Sequence, residues 1–114
     1  MKQKDYHLYD LLDPIAGQAD NDAIEDYYMQ LGELTESQYK EIIQKEFIPY
    51  YNNLNKQFFD KMRNLLKQAL CDTDYNGYER DFDCVLPPFD PPENPRDFFV
   101  WLDEAIQNMY DQKQ

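Results

Sequence analysis

The run of residues 72–77 (DTDYNG) is the part of this chain whose spacing best matches a known chemical site. It matches the first half of an EF-hand loop. Oxygen ligands at positions 1, 3 and 5, followed by a turn-forming glycine, suit a Ca²⁺ ion that takes six to eight oxygens. Position 12 of this frame also carries a carboxylate, at Asp83. A calcium-binding helical module is therefore one hypothesis. Its ligands would be Asp72, Asp74, Asn76 and Asp83.

Other residues in the same frame oppose calcium. Position 8 is Glu79, where an apolar residue usually docks the loop, and position 9 is Arg80, whose charge repels a cation. Pro87 and Pro88 interrupt the helix that should leave the loop. We favour an Asp/Asn/Gly turn between helices and predict no metal site and no cofactor.

Residues for the common catalytic arrangements are scarce. The chain has one serine, Ser37, and one histidine, His7. Ser37 lies within a helix-capping pattern, so a Ser-His-Asp triad is not expected. The chain has three glycines, which form no phosphate-binding loop, and its two cysteines and single histidine have no zinc-site spacing. The sequence therefore predicts a protein that is not an enzyme.

Charge is the strongest functional signal. The 114 residues include 23 Asp/Glu and 11 Lys/Arg, a net charge of −12. Residues 1–36 hold nine acids and two bases, a net of −7, and residues 71–114 hold eleven acids and three bases, a net of −8. Residues 37–70 hold six bases and three acids, a net of +3. Two acidic segments thus flank a mildly basic helical segment.

This charge predicts the class of partner. It repels nucleic acid and anionic membranes and attracts basic surfaces. We therefore expect a basic nucleic-acid-processing protein as partner, with no direct binding to nucleic acid or membrane. The sequence does not indicate an oligomeric state. The predicted partner-binding residues are Asp20, Asp22, Glu25, Asp26, Glu33, Glu36, Asp72, Asp74, Glu79, Asp81, Asp83, Asp90 and Glu93.

The hydropathy pattern predicts a cytoplasmic protein. No run approaches the roughly 20 apolar residues of a membrane span. Residues 1–5 (MKQKD) lead into no long apolar stretch, so we expect no signal peptide.

Helical spacing of apolar residues dominates the chain. Residues 6–12 predict a short first helix that ends before Pro14. Residues 22–31 predict a second helix, with Asp20 or Asn21 as its cap and Gly32 in a left-handed conformation at its end. The apolar stripe of this second helix would be Ala23, Ile24, Tyr27, Tyr28 and Leu31.

The middle and end of the chain predict two longer helical stretches. Thr35 and Gln38 form a capping-box pattern that opens a stretch to about residue 70, which Pro49 should kink or restart. A proline-rich loop follows, and Asn94 and Pro95 open a final aromatic-rich helix. We predict one domain over residues 1–114. Its fold class is all-α, a small bundle of four or five helices with a Pro-rich loop before the last helix.

The last helix should supply much of the core. Phe98 and Trp101 are expected to pack against the apolar stripe of residues 50–66. On this expectation, replacing Trp101 by alanine would unfold the domain or lower its melting point sharply.

The order of these features resembles Ocr-type phage antirestriction proteins, which are DNA mimics. The most specific point is the run of residues 47–51 (FIPYY), which is similar to the Val-Pro-x-Tyr element inside a helix of that family. An acidic helix precedes this run, and an acidic connector with prolines and an aromatic-rich last helix follow it. The resemblance implies an inhibitor that occupies a DNA-binding groove by electrostatic imitation, with no residue performing chemistry.

Three functional hypotheses follow from the sequence. The first is an acidic inhibitor that fills the nucleic-acid site of a DNA-targeting defence enzyme, as antirestriction and anti-CRISPR proteins do. The second is an immunity protein or antitoxin that neutralises a basic nuclease toxin. The third is the single-site calcium module at residues 72–83.

The calcium hypothesis has a direct test. Because Glu79 and Arg80 disfavour the loop, we predict no saturable one-site binding in the micromolar range when the full chain is titrated with Ca²⁺ in a calorimeter. A saturable curve that is lost in Asp72→Ala would contradict this prediction.

Overall fold

The computed structural model of the chain describes residues 8–16, 22–85 and 87–112. Over these residues the fold is all-α, as predicted, and contains no strand. The elements are a 3₁₀ helix (Leu8–Ile15), α1 (Asp22–Leu31), α2 (Glu36–Ile42), a π-helical turn (Ile43–Phe47), α3 (Ile48–Asn52), α4 (Lys56–Cys71), α5 (Tyr78–Cys84) and α6 (Pro95–Gln112).

The first helix differs from the prediction. It is a 3₁₀ helix over Leu8–Ile15, and Pro14 lies inside it rather than beyond its end. The buried Tyr51 of α3 donates its hydroxyl proton to the carbonyl oxygen of Leu11. The Tyr50 hydroxyl donates to Oδ2 of Asp13 over 3.1 Å. Tertiary contacts from α3 therefore hold this segment, and they outweigh the local effect of the proline.

Helix α1 has the predicted bounds but not the predicted burial. It spans Asp22–Leu31, and Gly32 follows with φ of 68°, the left-handed conformation that glycine adopts without a Cβ clash. The predicted caps, Asp20 and Asn21, lie outside the described residues. None of its side chains is buried, so the apolar stripe that we expected to face the core lies largely on the surface.

The central helical stretch is interrupted twice. Thr35 and Gln38 form the predicted capping box, in which each side chain accepts a hydrogen bond from the other residue's backbone N–H. A π-helical turn then precedes Pro49, which lies in the first turn of α3. Phe47 and Ile48 keep right-handed helical dihedral angles, so the kink or restart predicted at Pro49 takes the form of a π-helical turn within a continuous helical path. A second break, which we did not predict, comes before α4, where the Asn55 side chain caps Phe58 N–H.

Helix α5 lies within the segment that we expected to be a loop. It spans Tyr78–Cys84 and attaches to α4 through the Tyr78 hydroxyl, which donates to the Ala69 carbonyl over 3.1 Å. Phe82 of α5 is fully buried, and its ring lies 5.2 Å from that of Phe98, so it packs this segment onto the last helix. Seven residues with two buried aromatic side chains, Tyr78 and Phe82, give too weak a periodic signal for a sequence prediction.

Asp81 is the buried acid of the described structure, with no exposed surface. Its Oδ2 accepts hydrogen bonds from the backbone N–H of Leu8, over 3.4 Å, and from the Tyr75 hydroxyl. Its Oδ1 accepts from Arg80, which lies 3.2 Å away. A Cβ at Gly77 would approach the Tyr75 hydroxyl to 2.7 Å, so the ends of the Tyr75 and Arg80 side chains would have to shift to admit one. Asp81 therefore joins α5 to the first helix.

The last helix begins where predicted and forms the centre of the core. Pro95 is its first residue, and the Asn94 side chain accepts a hydrogen bond from Arg96 N–H over 3.2 Å. Phe98 is fully buried, with ring centroids 5.2 Å from Phe82 and 5.5 Å from Phe47. The buried side chains of α6 are Phe98, Phe99, Leu102, Ala105, Ile106 and Met109.

Trp101 corrects the predicted core. It is half-buried, and its ring packs 5.8 Å from Tyr39 of α2. Phe98 packs its ring against Tyr39, Phe47 and Phe82. Helix α6 also packs along α4, which carries much of the predicted stripe, and the buried Leu66 belongs to the same core cluster as Phe98.

Two basic side chains of the middle segment pair with acids. Lys40 lies 2.9 Å from Glu36, and Lys67 lies 3.6 Å from Asp103. Within the described ranges, no helix has both the length and the apolar content of a membrane span.

Burial predicts how single substitutions act on stability. Phe98→Ala should lower the free energy of unfolding by about 3–5 kcal/mol, because it leaves a cavity among packed rings. Phe58→Ala removes the same side chain from a site that is 57% exposed, so it should change stability by less than about 1 kcal/mol. Denaturant unfolding followed by circular dichroism measures both. Equal losses in the two variants would contradict this description of the core.

Candidate functional site

A groove of about 940 Å³ lies between α1, the start of α2 and the Pro-rich loop before α6. Its volume is within the range of ligand sites in proteins, roughly 300–1,000 Å³. The residues that line it are Glu25, Tyr28, Met29, Gly32, Glu33, Leu34, Glu36, Tyr39, Pro87, Pro88, Phe89, Asp90, Pro91, Pro92, Glu93 and Trp101.

The charged side chains of this lining are all acidic. They are Glu25, Glu33, Glu36, Asp90 and Glu93. Glu36 is paired with Lys40, which does not itself line the groove. In the described part of the chain, the other four carboxylates make no hydrogen bond or ion pair with protein. These four carboxylates, which we call the acidic rim of the groove, therefore offer unpaired negative charge to a ligand.

Aromatic rings supply the apolar part of the groove. Tyr39 lies near the rings of Trp101, at 5.8 Å, and Phe89, at 6.0 Å. Tyr28 of α1 reaches across to Phe89, with centroids 5.0 Å apart. These separations are typical of favourable aromatic pairs. The rings thus connect three elements that are distant in the sequence.

A hydrogen bond fixes the Pro-rich loop against α2. The Tyr39 hydroxyl donates to the carbonyl oxygen of Asp90 over 2.7 Å. Proline has no N–H, so Pro87, Pro88, Pro91 and Pro92 cannot donate hydrogen bonds to attach their own segment. The loop therefore depends on an outside donor at Asp90 and on the burial of Phe89.

The α1 side of the groove is unusually apolar for an exposed helix. Met29 lines the groove and is 69% exposed, and Tyr27 and Leu31 on the same helix are 55% and 40% exposed. Such neighbouring exposed apolar side chains beside a polar rim are typical of protein interaction sites.

The structure brings together five of the predicted partner-binding residues. These are the five acids of the groove. Asp22 and Asp26 are exposed elsewhere on α1, while Asp74 is exposed in the loop after α4. Glu79 and Asp83 are exposed on α5. Asp20 lies outside the described residues.

Two of the predicted partner-binding residues have structural roles instead. Asp81 has no exposed surface, so its place in a partner-binding surface is corrected: its carboxylate is taken up by Leu8, Tyr75 and Arg80. Asp72 is half-buried, and its Oδ1 accepts the Asp74 N–H over 3.0 Å, which is the Asx turn that we favoured at this position.

The structure does not form an EF-hand loop at residues 72–83. The second half of that frame is helical, because α5 begins at Tyr78. Gly77 has φ of −85°, so it does not make the sharp left-handed turn of the motif. Over the described ranges, no three Asp, Glu, His or Cys side chains form a cluster that could hold a metal ion.

No protein-family model, curated protein or solved structure matches this chain.

Sequence reasoning missed the apolar half of the site. The spacing of Tyr28 and Trp101 indicates core-facing positions and does not distinguish a groove from the core. One signal could have identified the groove: residues 87–93 (PPFDPPE) place prolines, an aromatic ring and acids together. A proline-rich segment cannot join a helix, so its aromatic residue must pack against other elements.

The Tyr39 hydroxyl predicts a pH dependence. Burial, with smaller contributions from the charges of Asp90 and Glu33, raises the pKa of Tyr39 to about 12. A group whose pKa is higher in the folded state contributes stability below its unfolded pKa, here 10.0, and loses that contribution as the pH rises through the folded value. Tyr39→Phe should therefore lose less stability than the parent between about pH 10 and 12.

Denaturant unfolding at several pH values measures this difference. Below pH 10, Tyr39→Phe should be about 1 kcal/mol less stable than the parent, because the Asp90 carbonyl loses its donor. Tyr27→Phe, on the exposed face of α1, is the matched control, and its free energy of unfolding should equal that of the parent. If the free energies of unfolding of Tyr39→Phe and of the parent changed in parallel with pH up to pH 12, the raised pKa of Tyr39 would be contradicted.

Proposed function

We propose that this protein is an acidic, non-catalytic inhibitor that binds a basic nucleic-acid-processing protein and covers its nucleic-acid-binding groove. The observation that carries this proposal is the groove with five acids and no basic side chain in its lining. The net charge of −12 supports it, because long-range attraction brings a basic surface to this protein and repels nucleic acid.

The proposed mechanism is competition for one surface. Duplex DNA carries a negative charge every ~1.7 Å of its axis, and proteins that bind it present matching Lys and Arg side chains. A folded protein with exposed carboxylates can occupy such a surface and displace the same counterions. The target would be a DNA-targeting defence enzyme, in line with the resemblance to Ocr-type antirestriction proteins and with anti-CRISPR inhibitors.

A second candidate is an immunity protein or antitoxin against a basic nuclease toxin. The exposed Tyr27, Met29 and Leu31 beside the acidic rim favour it, because apolar contacts contribute affinity that imitation of a phosphate backbone does not need. Both candidates share the same interface, and they differ in the kind of enzyme that is inhibited.

The test measures salt dependence and competition with a purified target. The full chain captures its partner at low salt, the captured protein is purified, and binding is then measured by calorimetry. We expect affinity to fall at least roughly ten-fold between about 0.05 and 0.2 M salt, since screening weakens charge complementarity. The target's DNA or RNA should displace this protein. Salt-insensitive binding alongside bound nucleic acid would refute the proposal.

Charge reversal provides matched variants for the same assay. Glu25→Lys with Asp26→Lys, on α1, should weaken binding at least about ten-fold, because it replaces attraction by repulsion. Lys45→Glu with Lys61→Glu reverses two exposed bases and should leave binding unchanged or strengthen it. Both variants should keep the parent's helical circular dichroism. Equal weakening in both would indicate that charge location is irrelevant.

A further inference from the structure

We infer that the groove receives a short segment of the partner in which arginine side chains flank an apolar side chain. This inference rests on the proposed function and names what the groove recognises. It requires the partner to contribute a projecting segment, whereas imitation of DNA alone requires only a basic surface.

The polar groups around the groove are mainly hydrogen-bond acceptors. The carboxylates of Glu25, Glu33, Asp90 and Glu93 accept only, when ionised. Pro87, Pro88, Pro91 and Pro92 also line the groove, and a proline has a carbonyl acceptor but no N–H donor. The Tyr39 hydroxyl directs its proton to the Asp90 carbonyl, away from a ligand. A matching ligand must therefore bring donors, and the guanidinium group has five donors and no acceptor.

The aromatic lining favours arginine over lysine. A guanidinium group stacks on aromatic faces and is more weakly hydrated than an ammonium group, so it enters a partly apolar site at lower cost. The chain itself contains such a contact, in which the Arg63 guanidinium lies 4.2 Å from the centroid of the Tyr110 ring. Tyr28, Tyr39 and Trp101 offer further rings in the groove.

The apolar side chain of the proposed segment is inferred from the apolar surface that stays exposed in the groove. Met29 is 69% exposed in the lining, and Trp101 is only half-buried although it is the single tryptophan of the chain. Covering such apolar surface is favourable, and a leucine-sized side chain buried there should raise affinity by about ten-fold or more.

Two short fluorescent peptides test this inference on the full chain. One alternates arginine with leucine and the other alternates arginine with serine, so their charges are equal. We expect the arginine–leucine peptide to bind at least roughly ten-fold more tightly by fluorescence anisotropy. Because Trp101 is the only tryptophan, an unlabelled copy of this peptide should also change the tryptophan emission. Equal affinities, or unchanged emission on saturation, would overturn the inference.

Neutralised acids provide the matched variants. Glu33→Gln with Glu93→Gln removes two charges from the rim and should weaken peptide binding at least about five-fold. Asp60→Asn with Asp111→Asn removes two charges at the other end of α6, where Phe59 stacks on Tyr110, and should have little effect. Asp111 lies ten positions after Trp101, about 15 Å along the helix. Equal weakening in both pairs would overturn the inference.

The purified partner separates failure of the inference from failure of the proposed function. If partner binding stays salt-dependent and Glu33→Gln with Glu93→Gln binds the partner like the parent, the groove inference is wrong and the proposed function stands. If the peptide results hold but partner binding is salt-insensitive and unaffected by nucleic acid, the proposed function is wrong and the groove specificity stands.

Discussion

The hydrogen bond from Tyr39 to the Asp90 carbonyl is the contact on which the rest of the site depends. The Pro-rich segment supplies no N–H at four of its positions, so it cannot hold itself in place by a regular ladder. Tyr39 provides one donor and one ring that also contacts Phe89 and Trp101. One side chain of α2 therefore links the loop to Trp101 of α6, and this link forms one side of the groove.

A net charge of −12 works against this compact fold, because like charges repel one another. The described ion pairs are few and lie mainly on the surface, where such pairs contribute little. Stability must come largely from the buried aromatic core around Phe47, Phe82 and Phe98. With the core providing stability, Glu25, Glu33, Asp90 and Glu93 of the groove make no ion pair within the described residues, whereas Glu36 pairs with Lys40.

Local signals in the sequence were enough to predict several elements. The capping box at Thr35, the left-handed Gly32 and the Asn94 start of α6 each depend on neighbours within four residues, and the structure confirms all three. What could not be predicted depends on contacts across the chain. Asp81 is buried because the distant Leu8 N–H needs an acceptor, and the groove exists because Phe89 packs against Tyr39.

Helix α1 has no buried side chain and is joined to the Pro-rich loop through the contact of Tyr28 with Phe89. Segments with few tertiary contacts open by local unfolding at a lower free energy than the core does. The amide hydrogens of α1 should therefore exchange with solvent sooner than those of α6. One wall of the groove is therefore held less firmly than the core. If the proposed function holds, ordering this wall would enter the entropy of association, and partner binding would protect α1 from exchange.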